Sequence, residues 1–517
     1  MNSYEDASVE FMSTRLWMMH RFCIHCKLSG GVYAASEIEG AIPIIHGPIG
    51  CAFNHRIPVM KSFLDMKALP CTDMDENDTV FGGMDKLRKT IDEVDEKYHP
   101  DLIIVLLTCL SGIIGDDVEG VIEDVKEAGK VKADIVWADT SGFKFRELRT
   151  ERTLKEWLHN YKNPEDYTPR NMEGCGQVEV INSLATQLME PAEKYGGIIE
   201  NGVNIVGMGT RRWGIDRTKE RMEILREAGA EINTIFFRDV DCEKVKRSSC
   251  ARVNIGFRVG RWMHIMKDRF GIDTVYNQFR FSHLSHQEKI RSFYMETGEK
   301  LGIEERMKRV MDDKMDLTSR QLQPYRDFLR GKRVVILGGG NVYGFFGLDS
   351  SLSIMMDLGL KIEAVSLDQG PLVRRGISEE LRRQHRETIL DLFGKLGVDP
   401  DIIDVEPFGI LKEIMEKYKP DLVVCAKERK PQIHALGVPA YSPQFFTFFT
   451  GFSGLQNIAQ EICLEMKKEN LTRKKPLIFN EIDYHPVYFP YIRKVGIPIQ
   501  ISEELQCAVK KGGKRCQ

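Results

Sequence analysis

The chain has 517 residues, which at roughly 150 residues per domain predicts three or four domains. Its 73 Lys and Arg residues nearly balance its 76 Asp and Glu residues, and the formal net charge of −3 argues against a nucleic-acid-binding surface. Hydrophobic residues make up 42% and charged residues 29%, ordinary values that exclude a disordered or collagen-like chain. No stretch approaches about 18 uncharged apolar residues, and no secretory signal is recognisable, so we expect a cytoplasmic protein without membrane-spanning helices.

The chain repeats a strand, a turn and a helix. The continuous apolar run Leu102–Leu107 is typical of a buried parallel strand, and a helix is predicted after it at residues 116–128. Further strands are predicted at 135–138, 203–206, 232–237, 253–257, 274–276, 332–337, 361–366, 421–425 and 438–440, with helices at 218–228, 259–270 and 411–418. This alternation predicts an α/β fold in which parallel sheets are flanked by helices.

Two polar stretches separate the series of units. Residues 146–169 are polar and charged, and residues 312–332 have the pattern of a long charged helix. We therefore predict three Rossmann-like domains with these boundaries: 1–198, which carries the clustered cysteines, 199–328, and 329–517, which includes a C-terminal extension.

Cysteine is the residue type with the clearest functional signal. In a reducing cytoplasm the 12 cysteines are buried apolar residues or metal ligands rather than disulfides. Five of them fall within the first 109 residues: Cys23, Cys26, Cys51, Cys71 and Cys109. Ligands of parallel sheets lie beyond the carboxyl ends of the strands. Cys109 and Cys425 lie at such ends, Cys242 lies a few residues beyond one, and Cys250 lies at an amino end.

Three of these cysteines are candidate cluster ligands. Cys26, Cys51 and Cys109 lie in predicted turns, and Gly47 and Gly50 allow the backbone before Cys51 to approach a bulky group. Thiolates are the usual ligands of iron–sulfur clusters, although a single cysteine is more often a core residue. Because a cluster commonly takes four ligands, three thiols suggest that a partner chain supplies the rest.

Several motifs together resemble component 1 of the nitrogenase superfamily. They are Cys26 with Gly30, Pro43 with the segment 46–51, the segment 73–83 and the segment 108–117, within a weaker similarity over about residues 20–465. The resemblance implies that Cys26, Cys51 and Cys109 bind a relay iron–sulfur cluster, of the 8Fe–7S P-cluster type or a 4Fe–4S cluster, between two homologous subunits. It also implies an α2β2 assembly on which an ATP-dependent iron–sulfur reductase docks, near residues 111–117. The chain has no P-loop lysine, so ATP would be hydrolysed by that reductase.

The departures from the family pattern concern the active-site cofactor. The cofactor cysteine is missing from residues 254–260, and the cofactor histidine is missing from residues 440–450. The histidine expected within residues 177–184 is missing too. The resemblance then implies a β-type subunit, an α-type chain of a nitrogenase-like reductase such as methylthio-alkane reductase, or a tetrapyrrole-reducing or scaffold branch.

We therefore predict a subunit of a nitrogenase-like oxidoreductase that reduces a small molecule, with C–S cleavage of methylthio-alkanes as the specific hypothesis. The alternatives are a cofactor-assembly scaffold, a tetrapyrrole reductase subunit and a plain NAD-dependent α/β enzyme. No catalytic residue is assigned. Cys242 and Cys425 are spare ligands for any second metal cofactor, although a core role is favoured for both. His283 and His286 are interpreted as surface or capping histidines, and the glycine-rich segment 338–344 as weak evidence for a dinucleotide loop.

Overall fold

Three parallel sheets carry the fold. In this computed structural model the described residues are 26–60, 68–142, 151–163, 175–207, 218–256, 260–276, 285–337, 352–367, 373, 376–404, 409–425, 429–442 and 451–467. The chain divides into a unit of residues 1–469 and a unit of residues 470–517, and every described residue belongs to the first.

The first sheet has the strand order β2-β3-β4. It follows the short strand Ile38–Glu39 (β1) and consists of Ala41–His46 (β2), Leu102–Leu107 (β3) and Asp134–Ala138 (β4). All six residues of β3 are buried, as its continuous apolar sequence predicts for a central parallel strand. The helices along this part of the chain are Lys27–Ser36 (α1), Ile49–Met60 (α2), Glu76–Phe81 (α3), Met84–Tyr98 (α4), Cys109–Ile114 (α5), Val118–Ala128 (α6), Glu151–Lys162 (α7) and Gly176–Gln187 (α8). Of these, α7 packs against the helix Glu379–Leu396 rather than against the first sheet.

The second sheet has the order β6-β5-β8-β9. Its strands are Ile199–Val206 (β5), Glu231–Ile235 (β6), Ala251–Gly256 (β8) and Asp273–Tyr276 (β9), and the short strand Val240–Asp241 (β7) pairs with β1 in parallel. The helices are Lys219–Glu227 (α9), Cys242–Lys246 (α10), Trp262–Phe270 (α11), His286–Leu301 (α12) and Glu304–Leu329 (α13).

The third sheet has the order β12-β11-β10-β13-β14. Its strands are Arg333–Leu337 (β10), Lys361–Ser366 (β11), Asp401–Ile403 (β12), Leu422–Cys425 (β13) and Ala440–Tyr441 (β14). The helices are Glu379–Leu396 (α14), Leu411–Tyr418 (α15), Lys430–Ala435 (α16) and Phe452–Lys467 (α17).

The predicted α/β fold is confirmed, since all strand pairings of these three sheets are parallel and helices flank them. The charged helix predicted to begin at residue 312 is longer, because Met307 and Met311 extend its buried face towards the start at Glu304. The domain boundaries stay a prediction. Within the described ranges, no helix is long and apolar enough to cross a membrane.

Candidate functional site

The carboxyl ends of β2 and β3 form the floor of the candidate site. The two strands pair in register up to His46 and Leu107, so the segments that follow them leave the same edge of the sheet. The Thr108 amide donates to the His46 carbonyl at 3.2 Å, and the Ser111 hydroxyl donates to the same carbonyl at 2.9 Å. These bonds fix the turn that leads to Cys51 against the turn that leads to Cys109.

A buried histidine holds the surrounding loops together. His46 is fully buried, with its Nδ1 3.1 Å from the Thr72 hydroxyl and its Nε2 2.9 Å from Asp116 Oδ2. The Asp116 carboxylate also accepts from the Gly83 amide at 3.1 Å. Burial lowers the pKa of His46 although Asp116 opposes this, so the ring is neutral near pH 7. Three of the four motifs of the resemblance, the segments 46–51, 73–83 and 108–117, therefore meet at His46.

Cys26 immediately precedes α1, which packs against α8. The ammonium of Lys27 lies 3.0 Å from Glu179 Oε2, and both side chains are buried. The Ser29 hydroxyl lies 3.1 Å from His55 Nδ1, a contact that ties α1 to α2. Burial raises the pKa of the Cys26 thiol, the amides of Leu28 and Ser29 lower it, and Cys109 raises it. The backbone of α1 therefore offers partial positive charge to a thiolate at Cys26.

Cys109 and Cys26 converge beside Gly142. The Sγ atoms of Cys26 and Cys109 each lie 3.5 Å from the position that a Cβ on Gly142 would take. The two sulfur atoms are therefore at most twice that distance apart, within the span of an iron–sulfur cluster. The Gly142 amide donates to Cys109 Sγ at 3.2 Å. The predicted convergence of these two thiols is present in the structure.

Cys51 lies in the first turn of α2 rather than in the preceding turn, and its amide donates to the Pro48 carbonyl at 3.1 Å. Burial raises the pKa of its thiol to about 11, and the neighbouring thiols of Cys26, Cys109 and Cys71 add to the shift. A Cβ added to Gly50 would meet no atom within 4 Å, so space is open beside Cys51. All three predicted residues therefore belong to one group of thiols.

Cys71, to which the sequence alone assigned no role, belongs to the same group of thiols. Its segment forms a single parallel bridge to Ile45 of β2, so it lies at the same sheet edge. The Cys71 thiol donates to the Gly47 carbonyl at 3.2 Å. The signal available in the sequence was its place among the five early cysteines, but no apolar run precedes it to indicate a strand end.

The donor set fits an iron–sulfur cluster. Cys26, Cys51, Cys71 and Cys109 are all partly exposed, and Cys26 and Cys109 adjoin helix N-termini. In the described part of the chain, no three His, Cys, Asp or Glu residues are close enough to hold a single metal ion. Thiolates are the usual protein ligands of iron–sulfur clusters. The raised pKa values of the Cys26, Cys51 and Cys71 thiols mean that cluster binding would displace protons.

Other candidate ligands lie elsewhere. Cys425 is fully buried at the end of β13 and pairs with Leu337, and Cys242 is buried with its thiol 3.5 Å from Asp134 Oδ2. The interpretation of His286 as a surface or capping residue was wrong, because it is 2% exposed and Ser285 caps α12. Residues His283 and Cys23 and the segments 338–344 and 443–450 lie outside the described residues.

The fold and the site define an α/β protein with a group of thiols at the carboxyl edge of its first parallel sheet. The family model for nitrogenase component 1 type oxidoreductases matches residues 26–467. The chain therefore belongs to this family, whose members bind iron–sulfur clusters and transfer electrons.

Individual relatives fall into two kinds. The chain is 26% identical over 468 residues to the nitrogenase molybdenum-iron protein alpha chain of Methanothermobacter marburgensis, covering 86% of this chain and 87% of that one. It is 25% identical over 453 residues to the nitrogenase iron-molybdenum cofactor biosynthesis protein NifE of Methanococcus maripaludis, with coverages of 84% and 82%. The solved structure of nitrogenase Cp1 at pH 6.5 aligns with a TM-score of 0.59 and 16% identity, over 88% of this chain and 94% of that one. At that identity the likeness shows the fold alone.

Proposed function

We propose that this chain is a subunit of a nitrogenase-like two-component oxidoreductase. It holds an iron–sulfur cluster with Cys26, Cys51 and Cys109, receives low-potential electrons from an ATP-dependent iron–sulfur reductase and passes them to a small-molecule substrate. The observation that carries the proposal is the grouping of these thiols, with Cys26 and Cys109 Sγ both 3.5 Å from one point beside Gly142. When bound, the cluster supplies one-electron transfer.

The backbone of the chain has a defined role in this proposal. The Gly142 amide donates to Cys109 Sγ, and the amides of Leu28 and Ser29 lower the pKa of Cys26. Hydrogen bonds to ligand sulfurs withdraw negative charge and so raise the reduction potential of a cluster. These three amides would therefore raise the reduction potential of the bound cluster.

Exposed apolar side chains surround the thiols and support docking of partner proteins. Ile49 and Phe53 lie on α2 with Cys51, Val80 and Phe81 on α3, and Ile113 on α5, which begins at Cys109; we call these five residues the apolar rim. They are 50–82% exposed, and α3 packs against α5. Clustered exposed apolar groups are typical of interaction sites. We propose that a homologous subunit, in an α2β2 assembly, and the reductase cover this region.

The missing cofactor ligands direct the choice of substrate. The segments 254–260 and 440–450 lack the cysteine and histidine that the family resemblance leads one to expect, so we do not propose dinitrogen reduction. C–S cleavage of a methylthio-alkane is our specific hypothesis. This reaction consumes two electrons and two protons, breaks the bond between sulfur and the alkyl carbon, and yields methanethiol and the alkane.

A cofactor-assembly scaffold is the second candidate function. It is favoured by relatives named as NifE cofactor biosynthesis proteins, of which one is 25% identical over 456 residues in Clostridium pasteurianum. The two functions differ in what the purified complex does with its reductase and ATP. Turnover of a methylthio-alkane to methanethiol supports the enzyme, whereas transfer of a cluster to an apo-protein without any turnover supports the scaffold.

The cysteine assignment is tested in the complex purified without oxygen. We expect Cys51→Ser and Cys109→Ser to lose at least half of the bound iron and acid-labile sulfide and to abolish reductase-dependent substrate reduction. The matched control is Cys250→Ala, which removes a buried thiol at the amino end of β8 and should leave the iron content unchanged. Unchanged iron in both site variants would contradict the ligand assignment. Equal iron loss in all three variants would do so as well, since it would reflect general destabilisation.

A further inference from the structure

We propose that Cys71 is a fourth iron ligand, so that this chain presents four thiols to one cluster. The inference rests on the proposed function and extends it, because the family resemblance and the sequence pointed to three cysteines only. Four thiolates are the usual complete ligand set of a 4Fe–4S cluster. A chain with four such thiols does not need a ligand from its partner subunit to complete a cluster of that kind.

Burial separates the described cysteines into two sets. Cys242, Cys250, Cys425 and Cys463 are buried, as cysteines that serve as small apolar core residues are. Cys71 is partly exposed, as are Cys26, Cys51 and Cys109, and so is Cys175, which directly precedes α8. Cys71 therefore shares the environment of the predicted ligands rather than that of the core cysteines.

The path of the backbone brings Cys71 to the other thiols. The Ile45 amide donates to the Pro70 carbonyl and the Thr72 amide donates to the Ile45 carbonyl, both at 3.0 Å. Cys71 is thereby added to the edge of β2, on the side opposite to β3 and its Cys109. The four cysteines thus approach the site from both sides of β2.

The Cys71 side chain is directed at the turn that carries Cys51. Its thiol donates to the Gly47 carbonyl at 3.2 Å, and the Asp73 amide lies 3.5 Å from its sulfur. A Cβ on Gly47 would lie 2.2 Å from the Thr108 hydroxyl, next to Cys109. Gly47 is therefore the point where the three segments meet, and the Cys71 thiol is among the neighbours that raise the pKa of Cys51.

A purely structural role for Cys71 is the competing explanation, because its hydrogen bond to Gly47 stabilises a turn. The two roles differ in whether iron protects the thiol from reaction. We therefore propose to alkylate the native complex with iodoacetamide under oxygen-free conditions. The reaction is run once with iron bound and once after a chelator has removed the iron, and the labelled peptides are identified by mass spectrometry. As a ligand, Cys71 should be labelled at least tenfold more slowly when iron is bound, as should Cys26, Cys51 and Cys109.

The outcomes separate this inference from the proposed function. Iron-dependent protection of all four thiols supports both. A second outcome is that iron protects Cys26, Cys51 and Cys109 while Cys71 is labelled at the same rate with and without iron. This outcome would contradict the assignment of Cys71 as a ligand, and it would leave the proposed function unaffected. Iron-independent labelling of all four overturns the cluster site itself.

A variant gives a second readout. Cys71→Ser keeps a hydroxyl that can donate to Gly47, so a structural thiol predicts unchanged iron content and an unchanged electron paramagnetic resonance spectrum of the reduced complex. A ligand thiol predicts a changed spectrum and loss of iron, with the thermal unfolding midpoint preserved. If the variant does not fold, the alkylation of the unmodified complex still decides the question.

Discussion

At the scale of a single residue, the partly buried carboxyl of Asp357, which lies beside the start of α12, makes the stability of the chain depend on pH. Asp357 Oδ2 accepts from the Gln287 amide at 3.3 Å. Burial raises the pKa of Asp357 to about 6, while the Gln287 amide, the Arg326 guanidinium and the His286 amide oppose the shift and Glu288 adds to it. The folded chain therefore binds this proton more tightly than the unfolded chain, whose carboxyl has its pKa near 3.9.

Removing this carboxyl charge should stabilise the protein at neutral and alkaline pH. Ionised Asp357 lowers stability progressively as the pH rises from about 4 to about 6, because only the unfolded state has already lost its proton there. We expect Asp357→Asn to raise the free energy of unfolding by about 1 to 2 kcal/mol near pH 8. The gain should shrink as the pH falls from 6 towards 4.

Urea denaturation at about pH 8 and about pH 4.5 measures the effect. Asp313→Asn is the matched control, because Asp313 is an exposed carboxyl on α13. If Asp357→Asn raised the free energy of unfolding equally at both pH values, the ionised Asp357 carboxylate would not be what destabilises the folded chain. An equal gain in the control would point to net charge instead.

At the scale of elements, the position of Cys26 depends on how closely α1 and α8 cross. A Cβ on Gly176 would lie 1.8 Å from the Lys27 carbonyl oxygen and 2.4 Å from the Gly31 amide, both backbone atoms. Gly30 likewise faces the Gly176 backbone at 2.9 Å. No side-chain rearrangement relieves such contacts, so any larger residue must move one helix.

We therefore expect Gly176→Ala to destabilise the protein by about 2 to 3 kcal/mol, since overpacking of this kind costs that much or more. It should also lower bound iron, because the displaced residue Lys27 adjoins Cys26. Gly394→Ala is the matched control: Gly394 is exposed within α14 and its Cβ would meet nothing within 4 Å. That change should raise stability by up to about 1 kcal/mol. Thermal unfolding and iron analysis of both variants check this, and a Gly176→Ala variant as stable as the unmodified chain would contradict the close crossing.

The elements that could be predicted from the sequence are those whose burial leaves a recognisable pattern of apolar residues along the chain. The run Leu102–Leu107 predicted β3 with both ends correct, because a strand buried on both faces is apolar throughout. Residues 70–72 form only one bridge and contain no apolar run, so their place beside β2 could not be predicted. Cys71 was not predicted as a site residue for the same reason. Its position beside the other thiols depends on a tertiary contact with Gly47 rather than on a local sequence pattern.

The same limit applies to helix ends and histidines. The pattern 259–270 predicted α11, but the helix begins at Trp262, where the amide donates to the Asn182 side chain of α8 at 2.7 Å. The interpretation of His286 as a surface or capping residue was wrong because α12 begins inside the protein, where His286 is 2% exposed. For α11 the decisive partner, Asn182, is 80 residues away in the sequence.

At the scale of the whole molecule, the exposed side chains of the apolar rim lie on α2, α3 and α5, and α2 and α5 also carry Cys51 and Cys109. Phe81 is 82% exposed and ends α3, directly before the Gly82 and Gly83 backbone that Asp116 holds. Exposed phenylalanine beside a redox site gives a contact surface at which a partner can approach closely while water is excluded. On the proposed function, we expect the rim to govern how the electron donor reaches the cluster rather than whether the cluster binds.

Phe81→Arg should accordingly separate electron delivery from cluster binding. We expect at least a tenfold loss of reductase-dependent turnover, because a charge at the centre of an apolar contact must be desolvated. Iron content and the thermal unfolding midpoint should be unchanged, since Phe81 buries little of its surface in this chain. The matched control is Leu390→Arg on α14, which removes an exposed apolar side chain, 43% exposed, from the third-sheet region.

Raising the reductase concentration distinguishes weakened docking from a damaged site. Turnover of the Phe81→Arg complex should recover towards the unmodified value as the reductase saturates it, whereas direct chemical reduction of the cluster should proceed at the unmodified rate throughout. If chemical reduction is slowed as well, Phe81 acts on the cluster environment. If Leu390→Arg reduces turnover equally, the loss reflects surface charge, and the rim is not where electrons enter.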